Sequence, residues 1–230
     1  MANETELSGL YPFLHGKVQD PGKLDAALLH SVTEKARESR ETNQAFFAES
    51  APVLVGAAKA LANLYRNGGR LFSMGNGGSS CDASHVAVEF VHPITAGRPA
   101  LAATNLVADL AMISAVGNDI GFDHVFVRQI IAQGRAGDGL VGISTSGNST
   151  NIIAAFAKAK EMGLVTIGLA GGDGGRMKTS GVVDYCLVVP THSIHRTQEC
   201  HVTAYHILWD LVHTLLADDR GSAASKGAAA

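Results

Sequence analysis

A chain of 230 residues that is 46% hydrophobic is long enough to bury one sizeable core. Its net charge of −3, with no Lys/Arg cluster, excludes a general nucleic-acid surface, because no patch would neutralise several phosphates of a duplex. Three cysteines, Cys81, Cys186 and Cys200, stand far apart without a CxxC, which excludes a disulfide framework and suits reduced thiols in a cytoplasmic protein.

Residues 1–25 hold Gly9, Pro12, Gly16, Pro21 and Gly22 without a clean period and read as an N-terminal arm. Met1 to Asp20 carry acidic residues and no basic-then-apolar pattern, so no signal peptide is expected. Apolar positions from Leu28 to Phe47 partly follow helical spacing and predict a helix over Leu24 to Ser50. A second helix is expected from Ala51 to Asn67, with Pro52 near its start and Asn67-Gly68-Gly69 at its end. No apolar run reaches membrane-spanning length, so no membrane partner is expected.

Strand and helix signals then alternate. Arg70 to Met74 reads as a strand, Gly75 to Ser80 as a Gly-rich turn and Cys81 to Val91 as a helix. A short strand at Ala100 to Ala103 precedes helices at Val107 to Val116 and His124 to Gln133. Further strands are expected at Gly139 to Ile143, Val165 to Ala170 and Tyr185 to Val189, with a helix at Asn151 to Met162 and a turn at Gly171 to Gly175. A long final helix runs from Arg196 to Ala217, and residues 219–230, rich in Ser, Gly and Ala, read as a disordered tail. The alternation implies an α/β fold: a three-layer sandwich with a five-stranded parallel sheet flanked by helices, one domain over 26–218. Ligands of such sheets bind at the carboxyl ends of the strands, which puts the turns at 75–80 and 144–149 on one edge.

Ser144, Thr145, Ser146 and Ser149 place four hydroxyls in a strand-to-helix turn. One or two would cap the helix; four exceed that need. A helix N-terminus adds backbone N–H groups and a positive dipole end, so the expected guest is a phosphate. His85 and Glu89 stand four apart on one face of an otherwise apolar helix, with Asp82 one turn earlier. On the final helix Gln198, Val202 and His206 form one stripe. His85, Glu89, Gln198 and His206 together make a mixed nitrogen and oxygen set for a divalent metal such as zinc. Gln198 and His206 lie roughly 12 Å apart along the axis, so Gln198 must reach along the helix.

These stretches, with Val116-Gly117-Asn118-Asp119, Asp173-Gly174-Gly175 and Gln198-Glu199-x-His201, occur in an order that resembles bacterial phosphoheptose isomerases, enzymes of the sugar-isomerase (SIS) domain family. The resemblance runs from about Ala51 to Leu216. It implies a homotetramer with sites shared between subunits and the conversion of sedoheptulose 7-phosphate to D-glycero-D-manno-heptose 7-phosphate. It also implies Zn²⁺ ligation by His85, Glu89, Gln198 and His206, with Glu89 as base and His206 as acid. Ser144, Thr145, Ser146 and Ser149 match the phosphate loop; Asn76, Gly77, Ser79, Asp109 and Gln198 match or border substrate-contacting positions. One departure stands at Pro93, where the family pattern has a basic residue; Arg98 is the candidate to replace that charge.

Aldose–ketose isomerisation needs a base, an acid or metal at two oxygens, and an anchor for the phosphate. The rival class is a non-catalytic SIS-domain regulator that binds a sugar phosphate. Such a module has no need of both the His85/Glu89 and Gln198/His206 pairs, so an enzyme is expected. Pro93 keeps open an isomerase of another phosphosugar. A nucleotide fold is disfavoured, because Gly75-Asn76-Gly77-Gly78 lacks the GxGxxG spacing and no GxxxxGK[ST] is present.

Overall fold

The structure is a computed structural model and describes residues 21–227. Helix α1 runs Pro21–Arg66, followed by strand β1 (Leu71–Gly75), α2 (Gly78–Val91), β2 (Ala103–Asn105) and α3 (Leu110–Asp119). A 3₁₀ turn at Phe122–His124 leads to α4 (Val127–Gln133), β3 (Gly139–Ser144), α5 (Thr150–Glu161), β4 (Val165–Gly171), a short α6 (Gly175–Thr179), β5 (Tyr185–Val189) and α7 (Ile194–Gly227). All strand pairs are parallel, in the order β2-β1-β3-β4-β5. The expected five-stranded α/β sandwich is what forms. The chain winds from β1 to β2 on one side and then to β3 on the other, so the switch point lies between β1 and β3.

Several expected boundaries are corrected. The two helices expected before β1 are one, continuous through Pro52. A proline removes a single intrahelical hydrogen bond, and Leu54, Ala57, Ala58, Leu61 and Leu64 are buried on the turns that follow, which holds the helix together across it. Joined, Leu24–Arg66 is long and apolar enough by length and composition to cross a membrane, although no single apolar run of the sequence is. Those buried leucines and alanines mark its C-terminal half as a core helix. The helix takes in Pro21–Asp25, which the sequence reading assigns to the arm; proline is favoured in a first helical turn. The expected arm otherwise lies outside the described residues. A compact unit begins at Glu41. In the stretch before it, Leu28, Leu29 and Val32 are exposed and Arg37 pairs with Glu34 along the helix. At the other end α7 runs through Gly227, past the expected end at Ala217; alanine, abundant there, has the highest helix propensity.

The sheet has a core on each face. On one, Phe46, Leu54, Leu61, Val86, Phe90, Val141, Ile143, Ile167, Leu169, Leu208 and Val212 unite the C-terminal half of α1 with α2 and α7. On the other, Phe72, Met74, Leu140, Ile152, Phe156 and Met177 unite α3 to α6. The period-2 alternation of the strands explains this division. Two register partners, Gly142 and Gly168, complete it. A Cβ on Gly142 would lie 2.5 Å from the Phe156 ring, and one on Gly168 would lie 2.6 Å from Met177 Cε. The glycines are the seats of those two side chains.

His201 joins α7 to the carboxyl end of β4. The ring is fully buried and its Nε2–H donates to the Ala170 carbonyl at 3.1 Å. Its buried Nδ1 has no partner among the described residues. Burial pushes its pKa down to about 4, only partly offset by the bond to Ala170. The folded value lies below the ordinary imidazole value of 6.5, so the unfolded chain takes up the proton first and stability falls as pH drops from about 6.5 to 4. Across that window the loss is roughly 3 kcal/mol. Denaturant titrations at several pH values should show the parent losing stability more steeply than His201→Gln; parallel curves would mean that His201 is protonated in the fold.

Candidate active site

The first turn after the sheet centre is tight. A Cβ on Gly75 would lie 2.1 Å from the Ser79 carbonyl oxygen, so the chain can turn from β1 into α2 only with glycine there. Gly77 enters α2 at φ 54°, a conformation open to glycine. Along α2, Asp82, Ala83, Val86, Ala87 and Phe90 are buried, which leaves His85 and Glu89 on a partly exposed face. His85 Nε2 is 3.1 Å from Glu89 Oε1, as the spacing of four predicts. The helix ends at Val91. His92 leaves the helical region at φ −130° and ψ 71°, and the following Pro93 disfavours the α region for it.

Helix α7 packs against α2 and brings His206 to this pair. His206 Nε2 is 3.5 Å from His85 Nε2. One ligand atom from each of His85, Glu89 and His206 lies within 4.8 Å of the others. Gln198, Val202 and His206 are all half-buried, one stripe of α7. The Gln198 amide packs at the start of α2, where a Cβ on Gly78 would meet its Nε2 at 2.4 Å. Arg98 pairs with Asp210 and lies over the Trp209 ring, 4.3 Å from its centroid. Trp209 in turn donates Nε1–H to the Glu89 carbonyl at 2.8 Å. Arg98 is thus held against α7, beside the residue that bonds α7 to α2.

The hydroxyl loop follows β3. Ser144 is buried and its Oγ is 2.9 Å from Ser149 Oγ. Ser149 occupies the N-cap of α5, but no side-chain hydrogen bond caps the helix there. The Ser149 hydroxyl is therefore not explained by capping. Gly147 sits at φ +65°, where a Cβ would lie 2.1 Å from the Gly174 carbonyl oxygen. Met177 N–H donates to the Gly147 carbonyl and Arg176 N–H to Asn148 Oδ1, strapping the loop to the turn after β4. A cleft of about 310 Å³ opens beside it, lined in part by Thr145, Ser146, Asn148, Asp173, His192 and Thr197. The next residue of the chain is Gln198, so the first turn of α7 reaches from this cleft to the start of α2.

The loop after β1 and the first turn of α5 flank the switch point, and their amides lock together. Asn76 Nδ2 donates to Asn151 Oδ1 and Asn151 Nδ2 donates to Asn76 Oδ1, both at 2.9 Å. Gly77 is exposed beside Asn76, and Ser79 is buried in the first turn of α2. Asp109 stands apart from these contacts; its Oδ1 accepts from Met112 N–H and caps α3.

Sequence reasoning assigned no part to Asn151, His192, Tyr205 or Trp209. Asn151 carried one signal, an amide at a helix start directly behind the hydroxyl loop. Tyr205 and Trp209 stand four apart on the buried side of α7, a helical spacing that reads as core. Tyr205 Oη lies 2.8 Å from His85 Nδ1. Burial, then the negative charges of Asp82 and Glu89, push the Tyr205 pKa well up, so the hydroxyl keeps its proton. Burial also raises the Asp82 carboxyl, against the opposing pull of His85.

Residues 36–171 match the family described as SIS domain. The chain is 44% identical over 192 residues to a phosphoheptose isomerase of Chlorobium phaeovibrioides, an alignment covering 82% of this chain and 85% of that protein. Its structure is similar to that of a phosphoheptose isomerase from Neisseria gonorrhoeae, with a TM-score of 0.76 and 38% identity over 81% of this chain and 99% of that one. It is likewise similar to one from Francisella tularensis, with a TM-score of 0.77 and 32% identity over 81% and 98% of the two chains.

Gly147→Ala tests whether the hydroxyl loop depends on its glycine. It forces a Cβ into a positive-φ position against backbone, a strain of about 1–3 kcal/mol. Urea denaturation should report a loss of that order; an unchanged midpoint and slope would show that the loop relaxes freely.

Proposed function

The chain belongs to the phosphoheptose isomerases of the SIS-domain family, and from that premise we propose that it converts sedoheptulose 7-phosphate to D-glycero-D-manno-heptose 7-phosphate through an enediol, at a zinc site held by His85, Glu89, His206 and Gln198. The observation that carries this reading is the meeting of His85, Glu89 and His206 within 4.8 Å. Two imidazole nitrogens and a carboxylate oxygen are a donor set that zinc accepts. Their partial exposure leaves a side open to substrate, as a catalytic rather than a structural site requires. A bound divalent ion supplies a Lewis acid for the substrate's carbonyl and hydroxyl oxygens, which acidifies the C–H between them.

The chain's own groups do the rest. Glu89 takes the proton from the carbon beside the carbonyl and returns it to the neighbouring carbon. His206 exchanges a proton with the substrate oxygen. Ser144, Thr145, Ser146 and Ser149 hold the phosphate, with the start of α5 contributing N–H groups and the positive end of its dipole. Phosphate binding there positions carbons that react elsewhere along α7. Asn76, Gly77, Ser79 and Asp109 border the sugar. The homotetramer is part of the same reading. Exposed Leu24, Leu28, Leu29 and Val32 make an apolar surface on α1 that association would cover. Pro93, in place of a basic residue, supports a second reading, an isomerase of a different phosphosugar.

Glu89→Gln keeps the side chain's shape and one oxygen donor but removes the base. It should lower kcat by a factor of about 10² to 10⁴ and stop solvent deuterium from entering the substrate at the carbon beside the carbonyl, read by NMR. Deuterium entry at the parent's rate in Glu89→Gln would show that the base lies elsewhere. If the zinc-loaded parent exchanges deuterium into no phosphosugar, the protein binds its sugar without turning it over.

A further inference from the structure

We propose that Tyr205 is a positioning residue that serves both tautomers of His85, donating to Nδ1 in the metal-free protein and accepting from Nδ1–H when Nε2 faces a metal. The inference rests on the metal reading above and concerns a residue that reading does not use. In the structure, His85 Nε2 is 3.1 Å from Glu89 Oε1. An ionised carboxylate only accepts, so in the neutral ring the proton is on Nε2 and Nδ1 is left as an acceptor. Tyr205 Oη is 2.8 Å from Nδ1, and its O–H donates there. For Nε2 to ligate a metal, its lone pair must be exposed and the ring proton must sit on Nδ1. The Nε2 proton leaves to water and one from water arrives at Nδ1, so the ring's charge is unchanged. The Tyr205 hydroxyl then turns and accepts from Nδ1–H at the same place.

A hydroxyl is suited to this position because it both donates and accepts. A carboxylate or a backbone carbonyl would hold Nδ1–H at all times and would leave Nε2 without a proton for Glu89 in the metal-free state. A Trp or amide N–H would hold the opposite tautomer and oppose metal binding. The hydroxyl is fixed in place. Tyr205 is 2% exposed. Its ring stands edge-on to His85 at 5.2 Å and to His206 at 4.9 Å between centroids. Tyr205 precedes His206 in α7, so one turn of helix presents a candidate ligand and the group that orients another.

Tyr205→Phe removes one oxygen and keeps the buried ring. Parent and variant are purified as full chains, stripped with a chelator and titrated with Zn²⁺ against a chromophoric competitor. The variant should bind zinc about 10 to 100 times more weakly with an unchanged circular dichroism spectrum. In ¹⁵N-histidine-labelled parent, long-range correlation spectra should show His85 protonated at Nε2 without zinc and at Nδ1 with it. The metal-free variant should show a mixture of tautomers. A variant that binds zinc as tightly as the parent, or a His85 ring with the same tautomer in both states of the parent, would overturn the assignment of Tyr205 and leave the metal reading standing. A parent that binds no zinc would remove both.

Discussion

The site depends on the packing of α7 along α2. His85 and Glu89 face one way from α2, and only a second helix held at a fixed distance can place His206 within 4.8 Å of them. Two kinds of interaction join the helices. Phe90 and Val86 of α2 share a core with Leu208 and Val212 of α7, and each such side chain contributes about 1.5–3 kcal/mol when buried. The hydrogen bonds, Trp209 to the Glu89 carbonyl and Tyr205 to His85, are worth about 1 kcal/mol each in net terms. Burial therefore holds the helices together, and the hydrogen bonds set their register and the orientation of the rings.

The sheet supplies the second requirement, a common edge for the polar loops. Because β1 and β3 are neighbours that feed chain to opposite sides, their carboxyl ends leave a crevice. The Asn76–Asn151 amide pair closes across it. His201 fastens α7 to the end of β4. The hydroxyl loop and the start of α7 thus share a cleft, while His206 lies two turns further along the helix. On the reading proposed above, a phosphosugar with its phosphate at the loop would have its reacting end carried toward His85, Glu89 and His206.

Local pattern made most of this legible. β1, β3 and β4 follow from short apolar runs ending in Gly- and Ser-rich turns, and β5 falls on the expected residues, whereas β2, expected at Ala100 to Ala103, forms at Ala103–Asn105. His85 and Glu89 follow from the i,i+4 rule, and the Gln198, Val202 and His206 stripe from the same periodicity. Features set by packing were not legible. Pro52 reads as a helix start, and only the burial of Leu54 and Leu61 against the sheet shows why the helix runs through it. Tyr205 reads as a core aromatic on α7, because its partner lies 120 residues away. Asn151 reads as a helix residue until the sheet brings Asn76 to it. Arg98 reads as a spare charge until Asp210 and Trp209 are seen to hold it.

The most direct measurement is anomalous scattering from crystals of the protein grown with zinc, with data collected on both sides of the zinc absorption edge. A single strong anomalous peak per subunit should lie between His85 Nε2, Glu89 and His206 Nε2, within about 2.0–2.2 Å of each ligand atom. A peak at other residues, or density showing the trio still hydrogen-bonded without an ion at saturating zinc, would contradict the assignment of this cluster as the metal site.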